Sequence, residues 1–294
     1  MIGQTLKHIR EKKGFSARAI AQKTITPTQL SRIENRGQIP GVDSFIKLLY
    51  SLNVSFEEFC LLTEDSHAKA RVKTKSNTAN VLRKRNSREM KETIKELEAY
   101  YNEFDDAYFI HISCIVKAKL ALSESNYDYS VTLDILKPVS DYLLFVETWF
   151  EYEISLFINC IYLFPLEKAI TLGDNALDKI KKNYILLKNE ELTRSLLVNL
   201  ATYALSEKKY HSHAHDYITK ALSLPQSTHI LYNSLLAKII YQATCYKLGN
   251  GDYDEAYLTD LLLGLKLMKF DDAYNEFVNF LSQHDIVIEK LHPL

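Results

Sequence analysis

Four polar residues in a short stretch carry the clearest chemistry in the sequence. Thr28, Gln29, Ser31 and Arg32 surround two apolar residues, Leu30 and Ile33, which lie three apart. On a helix that spacing puts Leu30 and Ile33 on one buried face and turns the four polar side chains outward. Hydroxyl, amide and guanidinium groups are the ones that hydrogen-bond base edges and phosphates, and a single helix fits the DNA major groove. Thr26 is placed to cap this helix and Pro27 to occupy its first turn, where a missing N–H costs nothing. Just upstream, Ser16 can cap a second short helix that ends within a few residues of the first. Two short helices in tight succession form a helix-turn-helix over Ser16–Asn35.

The elements that must hold this pair are also helical. Leu6 and Ile9 give a stripe to a first helix closed by Gly14. Asn35, Gly37 and Pro40 interrupt the pattern after the outward-facing helix. Phe45, Leu48, Leu49 and Leu52 then recur at helical spacing. Ser55 with Glu58 three residues later is a capping-box pair ahead of Phe59 and Leu62. Residues 1–63 are therefore expected to be a five-helix domain.

Charge is divided along the chain although the net value is only -1. Residues 1–91 hold 18 Lys and Arg against 8 Asp and Glu, and the remainder holds 18 against 29. A basic head on an acidic body fits a polyanion-binding domain joined to a module that does not bind polyanions. The bias peaks in residues 67–91, with nine basic residues and one acidic. Residues 64–90 read as a basic linker or linker helix, either close to a phosphate backbone or simply solvated.

From residue 91 to residue 294, helical patterns follow one another at 91–103, 105–123, 128–145, 147–164, 166–183, 190–206, 210–223, 227–248, 252–269 and 271–284, with little strand-like alternation. Alternate helices begin near 105, 147, 190, 227 and 271. Helix pairs at a near-constant interval are the mark of an α-solenoid, in this case tetratricopeptide-like with longer units. The expected fold is all-α, a five-helix head followed by an α-solenoid.

At 47% apolar and 25% charged residues the chain can bury a substantial core. Cys60, Cys114, Cys160 and Cys245 stand far apart in apolar runs and read as reduced core thiols. The chain opens on a helical pattern without an apolar signal segment, and no run approaches the roughly 20 apolar residues that span a bilayer. A cytoplasmic protein without membrane contact is expected. No glycine-rich phosphate loop, paired-cysteine motif or His-Glu-x-x-His helix is present, so neither enzyme activity nor a cofactor is expected.

The run from Arg10 through "AIAQK", "LSRIEN" and "NVSFEEF" resembles the Xre-type helix-turn-helix of phage repressors. That resemblance implies a phosphate contact for Ser16 and a groove-facing role for Pro27, Thr28, Gln29 and Arg32. The sequence departs from the pattern in the turn, where Thr24 and Ile25 replace the usual glycine. The stretch Glu147–Phe164, with Trp149, Tyr152, Glu153, Leu156, Phe157 and Asn159, together with this head resembles the Rgg family of Gram-positive regulators. The resemblance implies a quorum-sensing transcription regulator, a homodimer that engages double-stranded DNA with paired heads, and a concave repeat surface receiving a short, mostly hydrophobic signalling peptide.

A groove that holds an extended peptide without demanding one sequence needs groups that both donate and accept. Asparagine supplies these. Asn159 and Asn199 lie 40 residues apart, about one unit, in otherwise apolar helices. Each must face either the groove or a satisfying neighbour, because an unmade buried hydrogen bond costs about 1–3 kcal/mol. Tyr152 and Tyr203 share faces with these asparagines and can wall an apolar side chain or pack in the core. Arg194 and Asn233 are further candidates, the first for a peptide carboxylate. Two rival functions stand beside this one: a repeat domain that binds a protein partner, and a metal-dependent activity at His211, His213 and His215, where two histidines four apart share a helix face. The His run has no further Cys or His close in sequence, so no metal site is expected.

Overall fold

The computed structural model describes residues 2–63, 65–84, 86–181, 190–225, 231–286 and 288. Among these the regular structure is entirely helical, and the chain divides into two compact units, Met1–Ile110 and His111–Leu294. The first unit opens with five helices: α1 (Ile2–Lys12), α2 (Ala17–Thr24), α3 (Pro27–Arg36), α4 (Val42–Leu52) and α5 (Phe56–Leu62). Leu6, Ile9, Ile20, Leu30, Ile33 and Leu48 meet in one core. Each such side chain contributes about 1.5–3 kcal/mol by leaving water.

The helix ends lie where the caps place them. Ser16 Oγ accepts the Ala19 N–H at 3.1 Å. Thr26 Oγ1 accepts the Gln29 N–H at 3.2 Å, while Gln29 Oε1 accepts the Thr26 N–H at 3.0 Å. Ser55 and Glu58 form the expected reciprocal pair. Gly37 closes α3 at φ +70°, a left-handed conformation that a β-carbon disfavours. Gly3 serves a different purpose: a β-carbon there would lie 1.8 Å from the Ile33 carbonyl oxygen, so its absence lets α1 and α3 meet backbone to backbone.

The basic segment is a helix, α6 (Ser66–Lys84), which packs on α5 and on α7 (Ser87–Phe104). Asn86 caps α7 by accepting from Arg88 and Glu89. α8 (Ala107–Glu124) follows a left-handed Asp105.

The second unit is a succession of packed helices. After α8 come α9 (Ser130–Ile135), α10 (Lys137–Phe145), α11 (Glu151–Cys160) with a 3-10 turn over Ile161–Leu163, α12 (Leu166–Lys181), α13 (Glu190–Ala204), α14 (His211–Ser223), α15 (Leu231–Leu248), α16 (Glu255–Leu267) and α17 (Asp271–Gln283). The alternate helices begin at 107, 151, 190, 231 and 271, close to the predicted rhythm. α11, α13 and α15 pack side by side, and α13 and α15 also pack on the helices between them, as stacked pairs in a solenoid must. The predicted helix ends at 182 and 183 and the start at 227 lie outside the described residues.

Two predicted helices need correction. The single helix expected over 128–145 is broken at Leu136, because Pro138 lacks an N–H and is accommodated only in the first turn of a new helix, α10. The helix expected from 147 begins at Glu151. There the Glu153 carboxylate accepts the Phe150 N–H at 2.7 Å and the Tyr142 hydroxyl at 2.5 Å, while the buried Trp149 indole donates to the Leu143 carbonyl at 3.1 Å. Three side-chain bonds hold a corner that periodicity alone reads as helix. The thiols of Cys114, Cys160 and Cys245 are buried as expected, whereas Cys60 is only half-buried.

Candidate nucleic-acid interface and repeat groove

The outer face of α3 carries the polar residues and its inner face the apolar ones, as their spacing requires. Pro27, Thr28, Gln29, Ser31 and Arg32 are exposed, while Leu30, Ile33 and Glu34 are buried beneath them. Ser16 is exposed at the start of α2, and its hydroxyl hydrogen remains available after the oxygen has capped the helix. The turn that lacks glycine is satisfied by extended backbone at Ile25 and Thr26, so α3 begins at Pro27. Gln29 has two demands on it, since its side-chain oxygen takes both the Thr26 N–H and, at 3.1 Å, the Thr26 hydroxyl.

Beneath this face lies a pair that local periodicity does not reveal. Arg10 Nε and Nη2 donate to the two Glu34 carboxylate oxygens at 2.7 and 2.8 Å, and Nη1 donates to the Phe15 carbonyl at 3.0 Å. Arg10 is 8% exposed and Glu34 5% exposed, so a planar bidentate pair fixes α3 on α1 from inside the head. The sequence signal was an arginine and a glutamate each on the apolar face of its helix, an arrangement that requires a partner.

In the repeat unit, Asn159 is exposed on α11 and donates Nδ2 to the Ser155 carbonyl at 2.8 Å. Asn199, on the neighbouring α13, is half-buried and accepts the Tyr162 hydroxyl on Oδ1 at 3.2 Å. Each amide is thus half engaged. Tyr203 donates to the Phe164 carbonyl at 2.8 Å and its ring centroid lies 5.2 Å from that of Tyr162. Burial holds the Tyr203 phenol well above its ordinary range, with Tyr129 reinforcing the effect, so the group is a hydrogen-bond donor at any physiological pH. Tyr162 joins the two candidates and was not among the predicted residues. Its position three after Asn159 was the available signal, because that spacing shares a helix face.

The remaining candidates lie elsewhere. Tyr152 is tied to His111 Nδ1 at 2.7 Å, in a cluster with Tyr142. Asn233 donates to Glu191 at 3.3 Å. Arg194 differs most from expectation: it is 1% exposed, and its guanidinium donates to the main-chain carbonyls of Ala221, Leu224 and Pro225. Those oxygens sit at the C-terminal end of α14, where the last carbonyls lack intrahelical partners. Arg194 closes a helix end and presents no guanidinium to solvent.

The histidine run is dispersed. His211 is buried, His215 lies 5.9 Å from the Tyr241 ring, and His213 Nδ1 is buried without a hydrogen-bond partner. Among the described residues no three His, Cys, Asp or Glu side chains cluster as metal ligands, and no helix is long and apolar enough to cross a membrane.

Comparison with known proteins agrees with this architecture. Residues 6–59 match a helix-turn-helix family, and residues 90–277 match the C-terminal domain of the HTH-type transcriptional regulator Rgg. The fold is similar to that of the SHP pheromone receptor Rgg2 of Streptococcus dysgalactiae, with 22% identity over 96% of this chain and 99% of that one and a TM-score of 0.73. It is also similar to PlcR of Bacillus thuringiensis, solved in complex with the peptide PapR7 and DNA, with 17% identity over 95% of this chain and 99% of that one and a TM-score of 0.65. With a DNA-binding helix-turn-helix head and more than half of its length matched by the Rgg model, the chain belongs to the Rgg family of transcriptional regulators.

Proposed function

We propose that the face formed by α11 and α13 binds a short, mostly hydrophobic signalling peptide, and that the protein acts as a homodimer whose two α3 helices read two half-sites. The observation that carries the peptide reading is the pair of half-engaged amides. Asn159 keeps Oδ1 as an acceptor, and Asn199 keeps Nδ2 as a donor. One acceptor and one donor on adjacent helices suit the N–H and C=O of an extended chain, whatever its side chains. For the peptide to act as a signal it must bind the DNA-competent and incompetent arrangements with different affinity. The dimer follows from reach: one recognition helix covers a single half-site, and the second lies about 34 Å or a multiple of it away.

The test is titration with synthetic short peptides encoded beside the gene. Asn159→Ala with Asn199→Ala is expected to weaken binding by about 1–3 kcal/mol, roughly ten- to hundred-fold, with the thermal midpoint unchanged. Undiminished affinity in that double variant would remove both amides from the site. On the DNA side, Arg32→Ala is expected to lower operator affinity roughly ten- to hundred-fold while sparing random duplex, the behaviour of a base-reading guanidinium. An equal loss on both duplexes would reassign Arg32 to a phosphate.

A further inference from the structure

α6 carries Lys69, Arg71, Lys73, Lys75, Arg83 and Lys84 and no acidic residue. It is held by a thin seam. The residues buried along it are Ala70, Thr74, Thr78 and Val81, and the Thr78 hydroxyl lies in the seam without a hydrogen-bond partner. Two alcohols, a methyl and one valine bury little apolar surface, so charge does much of the positioning. Arg71 donates bidentately to Asp106 at 2.6 and 2.8 Å, and His67 Nε2 lies 2.7 Å from the same carboxylate. Lys73 pairs with Glu96, which also accepts the Tyr100 hydroxyl at 2.8 Å. With α-helical spacing, Arg71 and Lys73 fall on opposite edges of the buried line. Lys69, Lys75 and Arg83 are exposed on the outer face between those edges.

The cations of Arg71 and Lys73 are held here by carboxylates, groups whose anionic oxygens resemble those of phosphates. A guanidinium grips either group through the same two-pronged geometry. The Arg71 and Lys73 side chains remain about half exposed, at 51% and 54%, so both cations stay within reach of an outside anion. At 1.5 Å per residue α6 is about 28 Å long, enough to follow several phosphates of one strand. We propose that α6 is a second DNA-contacting surface, one that binds phosphates without reading sequence, and that Asp106 and Glu96 hold two of its cations in check. Removing these carboxylates releases the two cations and adds two charges to the DNA contact.

The inference rests on the DNA-binding reading of the head, and wild-type binding to a random duplex tests that reading separately. The experiment measures affinity of the full-length Glu96→Gln/Asp106→Asn variant for the same duplex between 50 and 200 mM salt. Two additional phosphate contacts steepen the salt dependence of log affinity by about 1.8, so the variant's advantage over wild type shrinks about twelve-fold across that range. Adding Arg71→Ala and Lys73→Ala to the variant is expected to return the slope to the wild-type value. Equal slopes for wild type and the carboxamide variant overturn the proposal, as does a gain that survives removal of Arg71 and Lys73. Should the double variant fail to fold, Glu96→Gln alone carries half of the expected change, about 0.9 in slope, at a carboxylate that is 37% exposed. An unchanged slope there overturns it equally.

Discussion

Arg10→Ala is expected to destabilise the DNA-binding head by about 3–5 kcal/mol, because it strands the Glu34 carboxylate in a site with almost no access to water. The loss exceeds that of the pair itself. Converting both partners to apolar residues, Arg10→Met with Glu34→Leu, is expected to recover most of it, since two well-packed hydrocarbons need no compensation. The chain supplies its own control. Trp149 is its only tryptophan and lies buried in the second unit, so its fluorescence follows that unit while far-UV circular dichroism follows both. Urea unfolding of Arg10→Ala should show an early loss of helical signal with the Trp149 transition in place. Superimposable unfolding curves for variant and wild type would mean that the buried pair does not hold the head together.

Arg194→Ala should act on the other unit and with similar size, about 3–5 kcal/mol. It empties a fully buried side-chain site and leaves the carbonyls of Ala221 and Pro225 without their charged donor. The expected signature is the reverse of the first: the Trp149 transition moves to lower urea, because α13 packs directly on α11 and stacked repeats lose stability through their neighbours. Arg194→Lys should restore only part of the loss, since one ammonium cannot serve the same spread of oxygens. If peptide affinity fell in Arg194→Ala while the Trp149 transition stayed fixed, the side chain would be a ligand group and its helix-closing role secondary.

How far the sequence discloses this molecule depends on the range of each interaction. Ser16, Thr26 and Ser55 act within three residues, and the helices they cap begin where the sequence places them. The helix pairs were legible for the same reason, as apolar stripes repeat locally. Arg10 and Glu34 are 24 residues apart and Arg194 reaches 27 to 31 residues to its carbonyls, so no local pattern names the partner of either. The 147–164 segment misled in the opposite direction. Its aromatic pattern is helical, but Trp149 and Glu153 spend their polar atoms on a corner. In the candidate groove, residue types single out Asn159 and Asn199, whereas only coordinates show which half of each amide is engaged.

The cap at the start of α3 uses up part of the hydrogen-bonding capacity of its first turn. Glutamine recognises adenine by offering an acceptor to the 6-amino group and a donor to N7 together. Gln29 has already committed its oxygen to Thr26 and retains only its two amide hydrogens. Where this residue meets a base edge it can therefore satisfy guanine O6 and N7 or thymine O4, and it is poorly equipped to single out adenine. A bond whose first purpose is to start a helix thus takes the acceptor that adenine recognition would require.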